Sequence, residues 1–212
     1  MFENEDSAVR KLARVALPES VKARIRIYRV RSNRKKTGTG MVSGHMDSSG
    51  EWRAKTRISN TVYFYHPERI RIGDNVFVWH FTILDGTGGL DIGEGCQIGA
   101  WVGLFTHSSH VAIRLYGRHY QEINENDKKG FTISPVKIGK YVFVGAGSLI
   151  LPGVEIGDGS IVSAGSLVKH DVNPYEIVSG NPAMVIGDTR ELDSKYLEDE
   201  QLKRWYDEWQ DT

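Results

Sequence analysis

The stretch GLFTHSSHVAIRLYGRHYQEINENDKKGF, residues 103–131, holds three of the seven histidines of the chain, His107, His110 and His119. A neutral imidazole titrates near neutrality, so any of them could take a proton from a hydroxyl, and three that converged could hold a zinc ion. His107 and His110 stand three apart in a segment that reads as loop, and no third histidine has a matching context, so proton transfer is the better-supported use. Upstream, WHFTILDG adds His80 and Asp85. A carboxylate there could orient an imidazole or bind a hydroxyl, and each of the two residues could equally be a turn residue.

The elements that must carry these groups announce themselves by rhythm. Aliphatic residues fall every sixth position at Ile138, Val144, Ile150, Ile156, Val162 and Val168, and small or β-branched residues follow four later at Val142, Ser148, Val154, Ser160 and Ser166. A strand alternates with period two and a helix repeats near 3.6, so neither alone gives a period of six. Short strands joined by tight turns do, because one inward aliphatic per strand stacks over its counterpart in the next coil. The same beat runs earlier through Ile72, Val78 and Leu84 and then, after a two-residue offset, through Ile92, Ile98 and Leu104. A β-sandwich would show its turns every 8–12 residues or so instead. The interval from Leu104 to Ile138 is not a multiple of six, so a segment is inserted there. It leaves the coil at His107 and returns near Pro135.

The flanks differ in character. Residues 1–40 hold eleven Lys/Arg against four Asp/Glu, and residues 188–212 hold four against nine, although the whole chain is neutral, with 27 of each. That balance gives no global pull toward nucleic acid. DSAVRKLARVAL reads as a short amphipathic helix, the residues after Pro18 alternate basic and aliphatic, and RKKTGTGMVSGHMDSSG reads as a polar connection. At the other end Tyr196, Leu197, Leu202, Trp205, Tyr206 and Trp209 fall at helical spacing, which predicts a helix packed on the coil or on a neighbouring subunit. A single cysteine, Cys96, excludes an intramolecular disulfide, and no apolar run approaches the roughly 20 residues of a membrane span. These features and the acidic amino terminus, which lacks a signal-peptide core, predict a cytoplasmic protein.

Three segments, GDNVFVWHFTILDGTGGLDIGEGCQIGAWVGLFTHSSH, VKIGKYVFVGAGSLILPGVEIGDGSIVSAGSLVKHDV and IVSGNPAMVIG, resemble the hexapeptide-repeat acetyltransferases, most of all those acting on maltose, galactosides and surface polysaccharides. The resemblance implies an all-β left-handed parallel β-helix over residues 60–187, with an inserted loop 108–134, a basic segment 1–59 before it and a helix within 188–212 after it. It implies an acetyl-CoA-dependent O-acetyltransferase working as a homotrimer, with active sites between subunits, a sugar or oligosaccharide acceptor, and no metal or nucleic acid. His107 takes the position of the family base, with His110 as its rival, and the backbone N–H of Ala146 that of the donor to the negative oxygen. Ala164, Gly165 and Lys169 correspond to the coenzyme A side. Met184 stands where the family commonly has a basic residue, and Arg190 is the candidate replacement. On the acceptor side the resemblance implies His80, where the family has asparagine, and Asp85. Tyr116, Arg118 and His119 add a candidate rim, since aromatic faces stack on sugar rings and guanidinium groups bond hydroxyls or carboxylates. An insert that leaves the coil one residue after the candidate base is expected to overhang the acceptor.

Two other functions fit the same repeat. A non-catalytic scaffold would need the beat but not a histidine at its break. A γ-carbonic-anhydrase-like metal hydrase would need a third histidine in register.

Overall fold

The computed structural model describes residues 38–211 together with Pro18 and Val21. The amphipathic helix and the basic alternation expected before Gly38 lie outside the described residues.

Nineteen short strands are described. A hairpin, β1 (Met41–Met46) and β2 (Trp52–Ser59), leads into β3 (Tyr63–Tyr65), β4 (Ile70–Ile72), β5 (Phe77–Val78), β6 (Ile83–Asp85), β7 (Leu90–Ile92), β8 (Gln97–Ile98) and β9 (Gly103–Leu104). A small ribbon, β10 (His107–Ser108) with β11 (Thr132–Ile133), brackets the insert, which contains the helix α1 (Ala112–Tyr116). The beat resumes with β12 (Val136–Ile138), β13 (Phe143–Val144), β14 (Leu149–Ile150), β15 (Glu155–Ile156), β16 (Ile161–Val162) and β17 (Leu167–Val168). A hairpin of β18 (Glu176–Gly180) and β19 (Ala183–Asp188) follows, then helices α2 (Thr189–Asp193) and α3 (Glu200–Gln210).

Within the coil, β3 to β9 and β12 to β17, consecutive strands do not pair; each pairs in parallel with its counterpart one coil away. Three sheets result, in the orders β1-β2-β5-β8-β13-β16-β18-β19, β17-β14-β9-β6-β3 and β15-β12-β7-β4. The register stacks Ile72 on Ile92, Ile138 on Ile156, Val144 on Val162 and Ile150 on Val168. The chain is a parallel β-coil with three walls, and the insert occupies a gap between coils without breaking the stack, since β8 still pairs with β13.

Each inward aliphatic of the beat is fully buried, among them Val78, Leu84, Leu104, Val144, Ile150, Ile156 and Val162. At roughly 1.5–3 kcal/mol per side chain, this column is the main favourable term. The small residues four positions later serve the corners. Buried Ser148, Ser160 and Ser166 donate their hydroxyls to the carbonyls of Ser163, Asn173 and Ser163. A buried hydroxyl costs little when so paired. Cys96 fills one such position with its Sγ 2.9 Å from the Gly139 carbonyl, and burial pushes the thiol up to about 12, so it stays unreactive.

The expected boundaries need adjustment at three places. Residues 41–46, read as polar connection, form β1, because Met41 to Ser43 pair with Arg57 to Ser59 and Arg57 and Ile58 already pair with β5 of the coil. The insert is folded, not an open loop. The single carboxy-terminal helix is two helices, each begun by an aspartate: Asp188 accepts the Arg190 N–H, and Asp199 accepts those of Gln201 and Leu202. Trp209 of α3 packs on Tyr141 and Tyr175, with ring centroids 4.8 and 6.1 Å away, whereas Tyr196, Leu202 and Trp205 face outward.

Candidate active site

The two-residue offset in the beat lies in the corner DGTGG, residues 85–89, between β6 and β7. Asp85 ends β6 and Thr87 turns back on it. One carboxylate oxygen, Oδ1, accepts the Thr87 N–H at 2.9 Å and its hydroxyl at 2.6 Å. Gly88 lets the corner lie flat on the next coil: a Cβ there would stand 2.8 Å from the carbonyl oxygens of Thr106 and Ser134. The Gly88 N–H is received by the Thr106 hydroxyl, which itself donates to the Asp85 carbonyl.

The other oxygen of Asp85, Oδ2, accepts the Thr106 N–H at 2.8 Å and meets His107 Nδ1 at 2.6 Å. Asp85 is 2% exposed. Burial alone would raise its pKa, but the hydrogen bonds from the Thr87 hydroxyl and N–H, the Thr106 N–H and His107 outweigh it and bring the carboxyl down to about 2. At neutral pH Asp85 is therefore a carboxylate, which can only accept. Nδ1 of His107 must be the protonated nitrogen, and Nε2 keeps its lone pair unless the ring is doubly protonated.

The rest of the imidazole is walled. The Phe131 ring, from the end of the insert, stacks 5.8 Å away at 27°, and Tyr65 of β3 lies 6.2 Å away on a tilted plane. The His107 side chain remains 34% exposed, so a ligand can reach it. A hydrogen bond through one nitrogen and ring contacts leave the other as a fixed, accessible base.

His110, the rival base, has no such support: it is exposed, and its Nδ1 contacts the Ser108 hydroxyl at 2.8 Å. His80 sits in a different corner, its Nδ1 2.6 Å from Ser59 Oγ. That corner forms a column, because Trp101 donates to the His80 carbonyl, Gly147 to that of Ala100 and Gly165 to that of Ala146. The column runs His80, Ala100, Ala146, Ala164 along one edge of the five-stranded sheet; Asp85 and His107 lie along the other. Ala146 and Ala164 are exposed, and a Cβ on Gly147 would meet only Gly165 Cα, at 4.0 Å, while one on Gly165 would meet nothing within 4 Å. The Ala146 N–H has no acceptor among the described residues.

The remaining sequence candidates scatter. Lys169 is exposed after β17. Arg190 is held by Asp188 and lies 4.8 Å over the Tyr175 ring, so its charge is already engaged. Met184 is exposed on the outermost strand of its sheet. In the insert Tyr116 receives the Lys129 N–H on its hydroxyl, Arg118 reaches only its neighbour His119, and His119 pairs with Glu122. Sequence reading missed Thr87, Phe131 and Tyr65. The Asp-x-Thr spacing of residues 85–87, which favours a side chain bonding its own backbone two residues on, was the available signal for the first. Among the described residues no group of three or more His, Cys, Asp or Glu side chains could hold a metal ion, and no helix is long and apolar enough to cross a membrane.

Residues 135–170 match the bacterial transferase hexapeptide family, described by six repeats. The galactoside O-acetyltransferase of Escherichia coli K12 is 33% identical over 138 residues, which cover 64% of this chain and 62% of that one. A solved galactoside acetyltransferase in complex with coenzyme A superposes with a TM-score of 0.52 at 29% identity, covering 63% of this chain and 62% of that one. An N-acyltransferase from Bacillus cereus, solved with dTDP and 3-hydroxybutyryl-CoA, gives a TM-score of 0.53 at 27% identity over 72% of this chain and 89% of its own. The chain matches about 62% of the length of the curated relatives. With the six-residue beat and the three-walled coil, these likenesses show that residues 135–170 carry the hexapeptide repeat of bacterial transferases and that the coil is similar to those of hexapeptide acetyltransferases.

Proposed function

We propose that this protein transfers an acetyl group from acetyl-CoA to a hydroxyl of a sugar, with His107 as general base and Asp85 as the group that orients it. The observation that carries the reading is the 2.6 Å contact between Asp85 and His107 Nδ1, made by a carboxylate whose other hydrogen bonds are all satisfied.

The chemistry follows from the tautomer. Nε2 takes the proton of the acceptor hydroxyl as its oxygen attacks the thioester carbonyl, because an alcohol is a poor nucleophile until deprotonated. Asp85 stabilises the imidazolium that forms. The Ala146 N–H, which has no acceptor among the described residues, donates to the carbonyl oxygen as it turns negative. On collapse the C–S bond breaks and the imidazolium returns its proton to the departing sulfur, so the base ends neutral and free thiol is released. The bare edge at Ala146, Gly147, Ala164 and Gly165 has room for the extended arm of coenzyme A, and exposed Lys169 stands within the same coil for its phosphates.

Ala146 and His107 lie on opposite edges of one sheet, so a complete site needs Ala146 from a second copy. That supports a homotrimer of left-handed β-helices. The outward faces agree: Tyr63, Phe81, Ile83, Trp101 and Leu149 are exposed on the five-stranded sheet and at its corner, with Trp79 beside them, while the four-stranded sheet carries the ion pairs Arg71–Asp91 and Lys137–Glu155. We assign the reaction to the cytoplasm and to the modification of surface-polysaccharide sugars. Transfer to an amino sugar is the close variant, favoured by the likeness to the Bacillus cereus N-acyltransferase.

Release of thiol from acetyl-CoA across a panel of free, nucleotide-linked and lipid-linked sugars tests the reading. His107→Ala should lower turnover on the best acceptor by about 10²–10⁴, with coenzyme A affinity kept. His110→Ala should leave it near wild type. Wild-type turnover in His107→Ala would remove the proposed base.

A further inference from the structure

Lys128 lies in the insert, within the turn that leads to the ring stacked on His107. It is only 8% exposed, and its ammonium stands 4.0 Å over the centre of the Tyr120 ring. A cation on an aromatic face is stabilised, but the contact satisfies none of the three N–H donors. Among the described residues no carboxylate pairs with it. Glu122 is engaged by His119, and Glu125 and Asp127 are exposed to water, where their charge is screened. The stem of the side chain is covered while the ammonium keeps an opening to solvent, through which an anion can reach it.

The backbone fixes Lys128 from both sides. Its N–H donates to the Glu125 carbonyl, its own carbonyl receives the Phe131 N–H at 3.2 Å, and the next residue, Lys129, donates its N–H to the Tyr116 hydroxyl at 2.8 Å. Phe131, which closes this turn, is the wall of the His107 imidazole. A hydrogen-bonded turn therefore links the ammonium to the candidate base. Among the described residues Arg114 and Arg118, from the same insert, also have no carboxylate partner: one reaches the His110 carbonyl and the other the His119 ring.

We propose that Lys128 anchors an anionic group of the acceptor, so that the natural acceptor is a sugar bearing a phosphate or a carboxylate and not a neutral sugar. The proposal rests on the acyl-transfer reading for the word acceptor, but the binding it predicts does not need the acyl donor. Charge-assisted hydrogen bonds from a partly covered ammonium are worth enough to separate an anionic sugar from its neutral parent by about tenfold or more.

The test is titration of the full chain, labelled with 13C at the lysine ε-carbons and without acetyl-CoA, with glucose 6-phosphate, glucuronate and glucose as probes. The Lys128 resonance should move saturably with at least one anionic probe at about one tenth or less of the glucose concentration that gives any effect. A response to glucose 6-phosphate alone assigns phosphate, and one to glucuronate alone assigns carboxylate. Calorimetry of the same probes should show the preference lost in Lys128→Gln and kept in Lys128→Arg, which also guards against a misfolded insert. If neither anion binds better than glucose, or if Lys128→Gln binds them as wild type does, the proposal is overturned. Absence of thiol release with every acceptor would defeat the acyl-transfer reading and leave this binding result standing.

Discussion

Replacing Asp85 by asparagine keeps the shape of the side chain and exchanges one oxygen for an NH2. The structure leaves that NH2 no good position. Oδ1 receives the Thr87 N–H and Oδ2 the Thr106 N–H, so either orientation sets a donor against a backbone donor. The carboxylate itself also matters. Its pKa of about 2 in the folded chain, against an ordinary 3.8, corresponds to about 2 kcal/mol of stability at neutral pH. Because the folded value is depressed, that contribution is fully present above pH 4 or so and is lost as the pH falls toward 2. The buried donor left unpaired in the variant adds about 1–3 kcal/mol. With nitrogen turned toward His107, Nδ1 becomes the acceptor and the ring proton moves to Nε2, which removes the base; reversal of a tautomer in this way costs about 10⁴ in turnover in the serine-protease triad. Asp85→Asn should thus unfold at lower denaturant than wild type at pH 7, at matched protein concentration, and the gap should narrow at pH 3. Thiol release should fall by about 10²–10⁴, and 15N spectra of His107 should show the proton on Nε2. A stability gap equal at pH 7 and pH 3, or wild-type turnover in the variant, would refute the reasoning.

Phe131→Leu should lower kcat several-fold with the KM for acetyl-CoA unchanged, since the ring positions the base and does not touch the proposed coenzyme A edge; steady-state kinetics separate the two, and a changed donor KM alone would count against it. Chains carrying His107→Ala and chains carrying Ala146→Pro, which lacks the N–H, should each be inactive. Refolded together in equal amounts they should recover about one quarter of wild-type activity, because one site in four then draws a good histidine and a good N–H from neighbouring chains. No recovery from a mixture that sediments as a trimer would mean that the site lies within one chain.

What could be read from the sequence was what repeats. The aliphatic at every sixth residue is buried because a coil of three short strands gives it one inward position, and Ser148, Ser160 and Ser166 are small because each must reach a corner carbonyl of its own or the next coil. The offset between Leu84 and Ile92 marked an irregular corner without saying what it holds. Asp85 and His107 are 22 residues apart, and they meet only because β6 and β9 stack with Leu84 beside Leu104. Sequence could nominate both residues; the contact is a property of the register. The insert was less legible still. It has no periodicity, and its order comes from local turns, the β10–β11 ribbon and single contacts such as Tyr116 to Lys129, none of which leaves a pattern. Lys128 reads as one more solvated lysine, and only the folded insert covers most of its side chain.

The insertion point itself has a physical logic. A coil interrupted within a strand would expose the ladder of both neighbours, whereas one interrupted after β9, at the corner, costs no pairing: β9 still bonds β14, and β7 still bonds β12. The corner chosen is the one whose lower neighbour holds Asp85, and the insert begins at the residue that Asp85 binds. Its return strand, β11, pairs Ile133 with His107 directly, so the histidine backbone is held by the insert while its side chain is held by the coil. Deleting the insert would leave the Asp85 contact intact and free the ring on its Phe131 side. Any function of the insert in recognising a ligand is thus coupled, through residues 128–131, to the orientation of the imidazole.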